Sequence, residues 1–125
     1  MALAPITINP IGTARFLVSE ANGYQSREEI TIASGAGILQ PGHILGRITA
    51  SGKYVGMLPA AVDGSQTAAG ILYEYVDATS ADVKRTIIAR MAEVQKAELA
   101  FSGTPTQPQK DAAYASLATK DIMFR

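Results

Sequence analysis

Apolar side chains along the chain fall into a β-patterned body and one helical stretch near the end. Phe16, Val18 and Glu20 alternate with Leu17 and Ser19 and run into Ala21-Asn22-Gly23, which predicts a short strand ending at a turn. In residues 27–33, Ile30 and Ile32 alternate with Glu29, Thr31 and Ala33, the two-residue period of a half-buried strand. Beyond it, Gly35, Gly37, Gly42, Gly46, Gly52 and Gly56 separate apolar runs such as Ile38-Leu39, Ile44-Leu45 and Tyr54-Val55. That punctuation suits the tight turns of a small barrel or sandwich, with Pro41-Gly42 and Ser51-Gly52 as hairpin corners. Residues 67–76 read as a longer strand, and residues 83–91 as another with Ile87 and Ile88 central; Asp63-Gly64 and residues 77–82 connect them. A short helix is expected at residues 92–99. A clear one follows Thr106, where Gln109 stands at capping-box spacing, Pro108 falls in the first turn, and Tyr114, Leu117 and Ala118 share a face. Ile122, Met123 and Phe124 form a closing strand.

The first 26 residues differ in kind from the rest. They hold only Arg15 and Glu20 as charges, with Pro5 and Pro10 among β-branched Ile6, Thr7, Ile8, Ile11 and Thr13, so an extended arm is expected there. Residues 27–125 are expected to form a single β-rich domain. The fold class that emerges is mainly β with α (α+β): a small barrel- or sandwich-like domain with one C-terminal helix and an extended N-terminal arm. Composition alone leaves two readings of the arm level, a first strand of the protein's own sheet or a segment that pairs with the edge of a partner.

Composition narrows the chemistry. A chain of 125 residues is one domain's worth, and of its 47% hydrophobic residues 21 are alanine, which leaves enough large side chains for one compact core. Eleven cationic residues balance eleven acidic ones, so no global field attracts nucleic acid or a membrane surface, and neither is expected as a partner. The absence of cysteine excludes disulfides, iron–sulfur clusters and thiolate chemistry, and a single histidine excludes a multi-His metal centre. No basic segment leads into an apolar run, and nothing approaches the ~20 apolar residues of a membrane span, so the chain is expected to stay where it is translated.

Candidate catalytic groups do not assemble by spacing. His43 sits between Gly42 and Ile44 in an expected turn and reads as a lone surface histidine. Asp63-Gly64-Ser65 lacks the glycines of a nucleophile elbow and reads as an Asp-Gly turn. Glu28 and Glu29 are adjacent, hence on opposite faces of a strand, and residues 77–82 lack the Asp-x-Asp-x-Asp-Gly spacing of a calcium loop. Gly35-Ala36-Gly37 leads to Pro41 and not to the Gly-Lys-Ser/Thr and helix of a phosphate loop. Neither an enzyme, a metal site nor a cofactor is expected.

Three segments carry a resemblance: residues 26–35 (Ser-Arg-Glu-Glu-Ile-Thr-Ile-Ala-Ser-Gly), residues 39–46 (Leu-Gln-Pro-Gly-His-Ile-Leu-Gly) and residues 63–72 (Asp-Gly-Ser-Gln-Thr-Ala-Ala-Gly-Ile-Leu). In this order they resemble the lambda-type head-decoration, or capsid-stabilising, proteins of tailed bacteriophages. The resemblance continues through residues 73–82 and more loosely to the C-terminus. It departs from the family where Phe101-Ser102-Gly103-Thr104-Pro105 stands in place of a tryptophan-containing segment, and residues 1–12 have no clear counterpart. The resemblance implies a homotrimer on the outer surface of the virion capsid, at three-fold and quasi-three-fold positions of the expanded head. It would be made in the host cytoplasm, partnered by the major capsid protein, and would hold the shell against genome pressure. It further implies an arm that orders on the shell by β-augmentation. That assigns capsid contact to Arg15, Phe16, Leu17 and Val18, to the motif residues Ser26, Arg27 and Glu28, and to Ile30 and Ile32. The alternative from another class is a cellular β-barrel ligand- or peptide-binding module using a glycine-lined groove at residues 35–46; a hydrolase using Asp63, Glu74 or Asp77 ranks last.

Overall fold

The structure, a computed structural model, describes residues 13–125. Residues 1–12, the first part of the expected arm, lie outside the described residues. The described chain runs β1 (Leu17–Glu20), a helical turn α1 (Gly23–Ser26), β2 (Arg27–Ile32), β3 (Gly37–Leu39), β4 (Ile44–Arg47), β5 (Tyr54–Gly56), β6 (Ala68–Leu72), β7 (Val76–Ala78), β8 (Val83–Ile88), β9 (Ala92–Val94), a 3-10 turn (Lys96–Glu98), α2 (Gln107–Ala118) and β10 (Ile122–Phe124). Five strands close a barrel in the order β2-β5-β4-β6-β8, β3 and β7 form a two-stranded ribbon, and β1-β9-β10 form a separate sheet. The mainly-β fold with one C-terminal helix is as expected from the sequence.

The apolar doublets explain how so small a chain supports this arrangement. Successive side chains of a strand point to opposite faces. Ile32, Leu45, Tyr54, Leu72 and Ile87, one from each barrel strand, meet in a single cluster that fills the barrel. Their neighbours Ile44, Ile71 and Ile88 face the other way and join Phe16, Val94, Leu117 and Ile122 in a second cluster beneath α2 and the β1-β9-β10 sheet. The wall of β4, β6 and β8 is therefore apolar on both faces, which is why it shows doublets where a half-buried strand would alternate.

Several boundaries differ from the sequence expectation. Ser51-Gly52 does turn β4 into β5, with the Ile48 amide donating to the Lys53 carbonyl at 2.8 Å. Pro41-Gly42 is not a hairpin corner, because β3 leaves to pair with β7 while β4 pairs with β5 and β6. Gly42 is nevertheless required: its φ is +93°, and a Cβ there would stand 2.6 Å from the Glu98 carbonyl oxygen. The expected strand at 67–76 breaks between β6 and β7, since β6 stays in the barrel and β7 departs for the ribbon. The strand expected at 83–91 stops at Ile88. In place of a helix at 92–99 there are β9 and a 3-10 turn, because Ala92 and Val94 are buried between β1 and β10.

Helix α2 begins as its sequence predicts, with the Thr106 amide donating to Gln109 Oε1 at 2.8 Å and Gln109 N donating to Thr106 Oγ1 at 3.4 Å. Its inward face differs by one position: Ala113 and Leu117 are buried, Tyr114 flanks them and Ala118 is exposed. Tyr114 bridges Phe101 and Phe124 at ring-centroid distances of 5.8 and 5.0 Å. Beyond α2, β10 lies parallel to β9 and closes the chain as expected.

Candidate functional site

The residues assigned to contact lie in the turn before β1, on β1, in the α1 turn and on β2, and the fold uses them in three ways. Phe16 and Ser26 are fully buried, as is Ile32 inside the barrel, so their side chains pack within this protein. Leu17 and Ile30 are half-buried, each leaning on one of the two cores. Arg15, Val18, Arg27 and Glu28 reach the surface. β1 is antiparallel to β9 and is thus a strand of the protein's own sheet, one of the two readings that composition left open.

Two backbone edges in this stretch have no strand partner among the described residues. β1 is the terminal strand of its sheet, with β9 on one side only. β2 pairs with β8 along its whole length, from Arg27 opposite Ile88 to Ile32 opposite Val83, but meets β5 only at Ile32 opposite Tyr54. From Arg27 to Thr31 its other edge is open.

A polar clasp fixes the two strands relative to one another. Arg27 donates to Glu20 Oε1 through Nε (2.9 Å) and Nη2 (2.6 Å), and Ser26 Oγ donates to Glu20 Oε2 at 2.7 Å. The Arg27 guanidinium also lies 4.4 Å from the ring centroid of Tyr73. Burial alone would raise the Glu20 pKa, but the hydrogen bonds from Arg27 and Ser26 outweigh it and hold the carboxyl below its ordinary value. On the other side, the Ser26 carbonyl accepts from Ala89 N at 2.8 Å, and Arg90 reaches both the Gln25 carbonyl (2.7 Å) and Glu28 (3.7 Å). The partners Glu20, Tyr73 and Arg90 carry no local signal in the sequence; they are brought to Arg27 and Glu28 by the β1–β2 turn and by the pairing of β8 with both β2 and β6.

The remaining chemical candidates resolve into structure. His43 is not a surface residue: it is largely enclosed, its Nε2 is 2.7 Å from Ser102 Oγ, and burial lowers its pKa to about 4. Asp63 accepts from the amide (3.0 Å) and hydroxyl (2.6 Å) of Ser65, the turn expected of Asp-Gly chemistry, and Asp77 does the same for Thr79 at 3.1 and 2.6 Å. Hydrogen bonds from these neighbours hold both carboxyls below the usual range. No cluster of three or more His, Asp or Glu that could hold a metal ion occurs among the described residues. Gly42 and Gly46, placed by the alternative reading in a ligand groove, instead allow close packing against the backbone of Glu98 and of Ser65.

No curated protein sequence matches the chain. A family model described as bacteriophage lambda head decoration protein D matches residues 6–122. That span takes in all three sequence segments, every strand of the barrel and helix α2, and stops at the first residue of β10, so the match covers most of the described architecture and not one motif of it. The family's role is structural, the decoration of a phage head, and the chain belongs to it: this is a head decoration protein of the bacteriophage lambda type.

Proposed function

We propose that the protein binds the outside of the expanded head as a trimer at three-fold and quasi-three-fold positions and stabilises it, with the segment from Arg15 to Ile32 turned towards the major capsid protein. The observation that carries this reading is the pair of open strand edges in that segment, on β1 and on residues 27–31 of β2, in a chain of the decoration family. An open edge offers unpaired N–H and C=O groups to an extended partner segment, and β-augmentation satisfies them. Exposed Arg15, Val18 and Glu28 flank these edges, while buried Phe16, Ser26 and Ile32 hold them in place. The Glu20–Arg27 clasp keeps the two edges in fixed relation.

Three copies on a symmetric site offer three such contacts. Once one engages, the others bind intramolecularly, and linkage of this kind raises avidity by ~10²–10⁴. A ligand that prefers the expanded shell stabilises it by roughly 2.7 kcal/mol per site at a hundredfold excess over Kd. Synthesis in the host cytoplasm precedes this binding.

Co-sedimentation with expanded and unexpanded heads of the cognate phage tests the reading, with heat-induced genome release as the second readout. Binding to expanded heads only, in multiples of three copies per site, with release shifted to higher temperature, is expected. Val18→Lys, at a side chain 48% exposed and so tolerated by the fold, is expected to weaken binding. Equal binding to both head forms, or none to either, overturns the reading.

A further inference from the structure

The chain's neutrality conceals an uneven distribution of partners. Of its eleven cationic residues, six make ion pairs and two, Lys96 and Lys110, lie over the rings of Tyr114 and Phe101. Arg47, Lys84 and Lys120 have neither kind of partner among the described residues. Two of these three line the same groove.

The groove runs between the end of β4, the start of β6 and the C-terminal end of α2. Two adjoining hollows share Arg47, Ala69 and Lys120 as walls; one extends past Arg90 and the other past the Thr67 and Ser116 hydroxyls. Gly64, Ala68, Ala69 and Ala89 contribute small residues to its lining. Its acidic residues are Glu28, already engaged with Arg90 at 3.7 Å, and Asp121. Three cations thus line the groove with two acids, and neither Arg47 nor Lys120 is ion-paired to an acid among the described residues.

We propose that this groove binds a carboxylate side chain on an acidic peptide segment of a partner protein, between Arg47 and Lys120. A phosphate is the poorer fit, because such groups are held by helix N-termini, whereas the helix end here is the C-terminus of α2, whose partial negative charge opposes a dianion. Lys120 offsets that dipole and can still meet a single carboxylate. Arg47, on a barrel strand, has no such duty and offers a planar fork that matches a carboxylate. This site goes beyond the open-edge reading and does not depend on it.

Titration of the isotope-labelled full chain with a hexaglutamate peptide, followed by amide shifts, tests the proposal, with inorganic phosphate as the second probe. Saturable shifts at Ala68, Ala69 and Lys120 are expected. In Arg47→Gln/Lys120→Gln the apparent affinity is expected to fall about tenfold, as for two partly exposed ion pairs, and to fall likewise at high salt. Lys84→Gln, which removes the third unpartnered cation outside the groove, is expected to leave the titration unchanged. Equal affinity in the double variant, an equal loss in Lys84→Gln, no saturable shift, or tighter binding of phosphate than of hexaglutamate overturns it. Because no heads are used, failure here leaves the decoration reading standing, and failure of head binding leaves this result unaffected.

Discussion

His43 shows how a single residue can couple this fold to pH. Enclosed between β4 and the segment that leads to α2, its ring meets Ser102 Oγ at 2.7 Å and its main chain is bound to Ala100 across a bridge. Burial lowers its pKa to about 4, whereas the unfolded chain titrates near 6.5. Between those values the unfolded state takes up a proton that the folded state refuses, so stability is full above pH 6.5 and declines as pH falls through about 4. The loss amounts to as much as about 3 kcal/mol, at about 1.4 kcal/mol per pKa unit. Urea unfolding at pH 7 and pH 4.5 measures it. The decline is expected to be smaller in His43→Gln; an identical decline in that variant would assign it to the carboxylates instead, Glu20 among them, whose depressed pKa has the same sign of effect.

At the scale of elements, α2 is a segment whose start is fixed by local chemistry. Thr106 and Gln109 satisfy one another's backbone amides, and Thr106→Ala is expected to cost about 1 kcal/mol, read as a lower urea midpoint with unchanged slope. The helix is not held by amphipathicity: only Ala113 and Leu117 are buried, and the aromatic trio Phe101, Tyr114 and Phe124 ties its flank to β10. β9 is the opposite case. Ala92, Glu93 and Val94, of which only Val94 favours a strand, are extended because β1 and β10 flank them on both sides, and a short helix there would leave those neighbours unpaired.

For the whole molecule, the two-sided barrel wall is the organising feature. Ile87 belongs to the barrel interior and Ile88 to the cluster under α2, and both are fully buried. Ile87→Ala and Ile88→Ala are therefore each expected to cost about 2–5 kcal/mol, although the residues are adjacent on one strand. Urea midpoints compare them directly, and a near-neutral result for either would mean that one face of β8 is not a core. With core on both faces of the wall, the two apolar clusters share a single sheet and are coupled through it.

The sequence by itself determined the mainly-β class, the C-terminal helix with its cap, the Asp-Gly turn, and the family, because each rests on contacts within a few residues or on motif order. The strands β1 and β2 were also legible, from alternation over residues 16–20 and 27–33. Tertiary structure alone decided the break between β6 and β7, the strand identity of β9 and the enclosure of His43, since each depends on partners distant along the chain. The same holds for the candidate surface. Arg27 and Glu28 were visible as members of a motif, but that Arg27 is clasped by Glu20 and Tyr73, that Phe16 and Ile32 turn inward, and that Arg47 and Lys120 share a groove follow from strand register, which no local pattern encodes.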